Sequence, residues 1–134
     1  MASQTFELVT PEKLERSQEA ELVAVPGVDG DFGVLPGHAP TITALRPGVV
    51  SVHASMGGAA ENIFVSGGFA EITDSRVVIL ADMAKPAAEI TADEASAALA
   101  EAQEALAAAT SDGEKAAAQK AMEVATAMQL AAAA

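Results

Sequence analysis

His38 and His53 are the two side chains of this 134-residue chain best suited to proton transfer near neutral pH. His38 lies in the turn sequence Pro36-Gly37-His38-Ala39-Pro40, and His53 ends an apolar strand pattern. A general base needs a nucleophile or a second titratable group fixed beside it. Neither histidine has such a neighbour in sequence, and both read more simply as polar residues at loop edges. The chain has no cysteine, which removes thiolate nucleophiles, thiolate metal ligands and disulfides. No serine occupies a nucleophile elbow. Metal ligation would call for histidines and carboxylates at helical or hairpin spacing, and that spacing is missing. The run Gly27-Val28-Asp29-Gly30-Asp31-Phe32-Gly33 contains the Asp-Gly-Asp of a calcium loop. Counted from Asp29, however, the position that should hold a closing Glu is Pro40. The same glycines lead into a turn rather than a helix, the wrong setting for a dinucleotide fingerprint. No catalytic residue, metal ligand or cofactor site emerges, and the chain reads as an interaction module.

The composition narrows the partners. The formal net charge is −12, so phosphate backbones have little to attract them, and an anionic lipid surface is disfavoured too. A partner should be basic or apolar where it touches. No apolar run approaches the ~18 residues needed to cross a bilayer, and the N-terminus shows no basic stretch followed by an apolar one. Any membrane association is expected to pass through another chain. Aromatic residues are only 3%, with no Trp or Tyr, so a core must rest on Val, Ile, Leu, Met and four Phe.

Two segments with different patterning must supply the scaffold. From Thr5 to about Met83, turn signals recur every ten residues or so, at Pro26-Gly27, Pro36-Gly37, Pro47-Gly48, Gly57-Gly58 and Gly67-Gly68. Between them lie β-branched and apolar runs at residues 6–9, 22–25, 49–52, 62–65 and 77–80. No helix of useful length fits between the breaks, which predicts an antiparallel β-sandwich over residues 1–86. After Lys85-Pro86 the pattern changes. Residues 91–134 contain 20 alanines, a single glycine and no proline. Alanine is the best helix former because it loses no side-chain entropy. Thr91-Ala92-Asp93-Glu94 and Ser111-Asp112-Gly113-Glu114 both match the capping box. The spacing predicts helices over about 92–109 and 112–132, forming an antiparallel two-helix hairpin in a domain of residues 87–134. The expected inner faces are Ala95, Leu99, Ala102 and Leu106 on the first helix, and Ala117, Ala121, Val124 and Met128 on the second. Such thin faces bury little area and predict marginal docking.

The segment from Val25 to Pro40, with its Gly-acid-Phe-Gly run and Pro-Gly-His-Ala-Pro turn, resembles the signature of F-type ATP synthase epsilon subunits, relatives of the mitochondrial delta subunit. Leu45-Arg46-Pro47-Gly48-Val49-Val50, Val65-Ser66-Gly67-Gly68-Phe69-Ala70-Glu71-Ile72 and Val78-Ile79-Leu80-Ala81-Asp82 follow in the same order. The resemblance implies a non-catalytic central-stalk subunit that packs on gamma and stands on the c-ring, with the catalytic head as a further candidate partner. It places the protein peripherally on the cytoplasmic face of a bacterial inner membrane. It also points to Asp31 and His38 as the ring-facing loop residues, a carboxylate at Asp31 being able to meet basic groups of the ring. Two departures from the family stand out. Many bacterial relatives begin the first helix with Ile/Leu-Asp-x-x-Arg-Ala, implicated in ATP binding, and here Ser96 stands in the arginine's place. Inhibitory relatives carry several basic residues on the second helix, where this chain has Lys115 and Lys120. ATP binding is therefore expected to be absent or millimolar. The alternative is a free-standing β-sandwich that binds a small molecule.

Overall fold

A computed structural model of the chain describes residues 3–133. Contacts divide the chain into two compact units, Met1–Pro86 and Ala87–Ala134.

The first unit is built from ten short strands: β1 (Gln4–Val9), β2 (Leu14–Ala20), β3 (Leu22–Gly27), β4 (Gly30–Val34), β5 (Thr41–Leu45), β6 (Gly48–His53), β7 (Glu61–Val65), β8 (Gly68–Ile72), β9 (Arg76–Ala81) and β10 (Ala84–Pro86). They join in one sheet of order β10-β7-β6-β3-β5-β8-β9-β1-β2, with β4 paired to β3 outside that path. A sheet this long curls on itself into a near-barrel sandwich. Alternation decides which side chains enter: on β1, Gln4, Phe6 and Leu8 are buried while Thr5, Glu7 and Val9 face outward. The core gathers Phe6, Leu8, Val23, Val25, Val34, Val50, Val52, Ile63, Ile72, Val77 and Ile79, each nearly inaccessible. Arg16 on edge strand β2 donates from Nε to Glu61 Oε1 of β7 at 2.7 Å, tying the last strand of the order to the second.

The sandwich expected from the sequence is present, with one pairing of a different sense. β1 runs parallel to β9, from Thr5 beside Arg76 to Val9 beside Leu80, while the other neighbours are antiparallel. The two partners lie about seventy residues apart, so no hairpin dictates their sense. The Pro26-Gly27 signal is also displaced: both residues finish β3, with Pro26 opposite Asp31, and the chain reverses at Val28-Asp29.

In the second unit a single 3-10 turn, Ala87–Glu89, precedes α1 (Ala92–Ala108) and α2 (Asp112–Ala133). Both expected N-caps are made through the hydroxyl. Thr91 Oγ1 accepts the Glu94 amide at 3.0 Å, and Ser111 Oγ accepts the Glu114 amide at 3.1 Å. The helices pack on each other across the short 109–111 connection. On α1 the buried residues are Ala95 and Ala102, with Leu99 and Leu106 half-buried beside them, on the expected face. On α2 the expectation needs correction. Ala118, Ala125, Met128 and Ala131 are buried, whereas Ala117 and Ala121 are exposed. With alanine at most positions around the first half of α2, apolar periodicity does not distinguish one face from its neighbour.

Candidate functional site

The hairpin β3–β4 holds Asp31 near its tip. Gly27 faces Gly30 across a reversal of two residues, and Gly30 adopts φ +135°, a region L side chains avoid. Four bonds fasten this tip to the end of β5 and the β5–β6 turn. The Val28 amide donates to Ala44 O at 3.0 Å, and the Arg46 amide donates to Pro26 O at 3.0 Å. The Arg46 guanidinium then adds two of its own: Nη1 donates to Gly27 O at 2.6 Å, and Nη2 pairs with Asp31 Oδ1. The carboxylate that the resemblance points to as able to meet a basic partner is thus already held on one oxygen, yet the Asp31 side chain remains 71% exposed.

His38 lies in the neighbouring loop between β4 and β5. The Gly37 amide donates to Asp74 O at 2.6 Å, and the His38 amide donates to Leu35 O at 3.3 Å. His38 Nδ1 is 2.7 Å from Ala39 O. A carbonyl only accepts, so Nδ1 is the donor in this bond. The ring lies 6.4 Å, centroid to centroid, from Phe32, the residue after Asp31. The structure therefore places Asp31 at the start of β4, beside the turn, and His38 in the loop that leaves the other end of β4, its ring near Phe32 and bonded to its own loop. Val28 and Leu35, each about half exposed, add apolar surface to these loops.

A second feature lies on the outer face of the sheet and was not singled out in the sequence. Register places Ala44, Phe69, Leu80, Val9 and Leu14 side by side across β5, β8, β9, β1 and β2. In the next row Ile42 faces Glu71, and Glu71 faces Val78. Ile42 is 74% exposed and Phe69 55%, and Leu14 and Leu80 are similarly open. Five strands at ~4.8 Å make an apolar band about 19 Å long. The signal for it was present: Val77-Val78-Ile79-Leu80 is apolar on both faces, the pattern of a strand covered on both sides. Arg46, the residue that organises the hairpin tip, had no comparable signal, because its partners are brought together only by the fold.

Among the described residues, no group of three or more His, Asp or Glu could hold a metal ion, and no helix is long and apolar enough to cross a membrane.

Residues 3–87 match the family model for the beta-sandwich domain of the ATP synthase delta/epsilon chain. The chain is 49% identical to the ATP synthase epsilon chain of Paramagnetospirillum magneticum over 92% of both sequences. The chain belongs to the ATP synthase delta/epsilon family. The epsilon chain of Rhodospirillum rubrum is 46% identical over 92% of this chain and 91% of its own. Among solved structures, a chain of the Euglena gracilis mitochondrial ATP synthase, solved as an OSCP/F1/c-ring assembly, matches 98% of this chain and 82% of its own. Its TM-score is 0.82 and its identity 26%. A chain from the central stalk/c-ring structure of the Tetrahymena thermophila mitochondrial ATP synthase shares the fold, with a TM-score of 0.70 at 14% identity. As a delta/epsilon family member the chain is a non-catalytic subunit of ATP synthase, and the matches extend over the helical unit as well as the sandwich.

Proposed function

We propose that this delta/epsilon chain is a central-stalk subunit that couples proton-driven rotation of the c-ring to ATP synthesis. Gamma covers the apolar band of the sandwich, and the β3–β4 tip with the His38 loop faces the c-ring. The observation that supports gamma docking most directly is the band itself. A row of apolar side chains crossing five strands is more than a monomeric protein normally leaves in water. The exposed carboxylate of Asp31 supports a ring contact through basic groups on the ring's polar loops. The catalytic head is a further partner, reached through the helical unit. The protein is held peripherally, on the cytoplasmic face of a bacterial inner membrane, by the complex alone.

Co-purification with gamma tests this reading. A buried aromatic anchor at an interface is worth about 2 kcal/mol or more. Phe69→Asp and Leu80→Asp should therefore each weaken gamma binding at least ~30-fold while leaving thermal unfolding of the free subunit nearly unchanged. Wild-type affinity in both variants would reject the band as the docking face. A chain that binds no other subunit, and instead retains a small molecule, would favour a free-standing binding module.

A further inference from the structure

We propose that Arg46 is a positioning residue for the ring contact: it aims the Asp31 carboxylate and fixes the hairpin tip that carries it. The proposal rests on the reading of this end of the sandwich as ring-facing. A guanidinium presents its donors in a rigid planar fork, so one Arg can hold two acceptors in a set relation. Here Nη1 holds Gly27 O, on the strand that enters the turn, and Nη2 holds Asp31 Oδ1, on the strand that leaves it. The main chain of Arg46 is anchored to Pro26 O, so the fork projects from a fixed base. Both acceptors lie within the β3–β4 hairpin, while the donor belongs to the β5–β6 turn. The side chain therefore staples the tip to its neighbour.

The consequence for recognition is specific. A free Asp31 would meet a basic group as a mobile anion, and Arg46 would then compete for it as an internal counterion. Held by one oxygen, Asp31 instead presents its carboxylate in a defined direction, and a donor from a partner completes a chain of Arg, carboxylate and donor. Charge-assisted bonds of this kind depend strongly on direction. The two views predict opposite signs. If Arg46 only competes, its removal strengthens ring binding. If it positions Asp31, its removal weakens ring binding although Arg46 does not itself meet the ring.

The test uses the assembled soluble sector, carrying wild-type or variant subunit, titrated onto membranes stripped of that sector so that the c-ring is the probe. Asp31→Asn should weaken binding about fivefold or more, the size of one lost charge-assisted contact. Arg46→Ala should weaken it comparably, and Arg46→Lys by less. The double variant Asp31→Asn with Arg46→Ala should be no weaker than the poorer single one, because both act through one contact. In the free subunit, Arg46→Ala should speed amide exchange at Val28 without lowering the unfolding temperature by more than a few degrees. Stronger or unchanged binding in Arg46→Ala, alongside weakened binding in Asp31→Asn, would overturn the positioning role and leave the ring reading intact. Unchanged binding in Asp31→Asn would reject the ring reading and the proposal with it.

Discussion

Gly68 and Gly30 both adopt positive φ, +138° and +135°, yet they should respond differently to an added methyl group. A Cβ on Gly68 would collide with the Leu80 carbonyl oxygen and crowd the Ala81 backbone, whereas a Cβ on Gly30 would meet nothing within 4 Å. Gly30→Ala should therefore cost only the conformational strain, about 1–2 kcal/mol. Gly68→Ala should cost clearly more, because β8 and β9 must separate, and denaturant unfolding of the two variants will measure the difference. The Gly67-Gly68 pair was legible as a turn signal, but its steric reason was not. That reason lies in a strand more than ten residues away. A second residue-scale expectation concerns the cap of α2. Hydrogen bonds donated by the hydroxyls of Ser111 and Thr110 hold the Glu114 carboxyl below its ordinary pKa. A lowered folded-state pKa stabilises the folded form fully above the unfolded value, and that stabilisation is lost as pH falls through the folded value. The helical signal of α2 should accordingly decline on acidification below the usual glutamate range. Glu114→Gln should flatten that decline, as circular dichroism across the acid limb will report.

The helices were the most legible elements, because caps are local: Thr91 and Ser111 are satisfied three residues on, inside the same stretch of chain. Strands were legible where apolar runs marked them, at β1, β3, β6, β7 and β9. They were missed at β2, whose Leu14–Ala20 sequence is mostly polar because it is an edge strand with one wet face, and at β10, only three residues long. β4, β5 and β8 were also missed: β4 and β8 open on glycine, and β5 is a five-residue segment set between the turn residues Pro40 and Pro47. Contact division of the chain motivates a test of the two units as independent folders. A fragment of residues 1–86 should unfold in one cooperative β-type transition, because it holds nearly all the large buried side chains. A fragment of residues 87–134 should be only partly helical, since its buried face is chiefly alanine and isolated hairpins are marginal. An aggregated or unfolded 1–86 fragment would contradict that division of stability.

At the scale of the whole molecule, charge decides what the helical unit can do. From Thr91 onward there are Lys115 and Lys120 against Asp93, Glu94, Glu101, Glu104, Asp112, Glu114 and Glu123, a net of 2 − 7 = −5. The several basic residues that the resemblance ties to inhibition are missing from the second helix, and an acidic hairpin would meet any acidic partner surface across like charges, which cost affinity. Deleting residues 88–134 should leave assembly intact and raise ATP hydrolysis by less than about threefold, under ~0.7 kcal/mol of barrier. A tenfold rise would restore the hairpin as a brake. Order along the chain made the family legible, since its motifs recur in sequence from Val25 to Asp82. The parallel pairing of β1 with β9, the outer apolar band and the Arg46 staple were not, because each joins residues that only the folded chain brings together. The central claim, that this subunit couples the ring to the catalytic head, is tested most directly by proton-driven ATP synthesis in vesicles carrying an enzyme depleted of it. Adding back the wild-type chain should restore synthesis, and adding back Phe69→Asp should restore far less at equal concentration. Full synthesis by the depleted enzyme, with no change on adding the chain, would contradict the account.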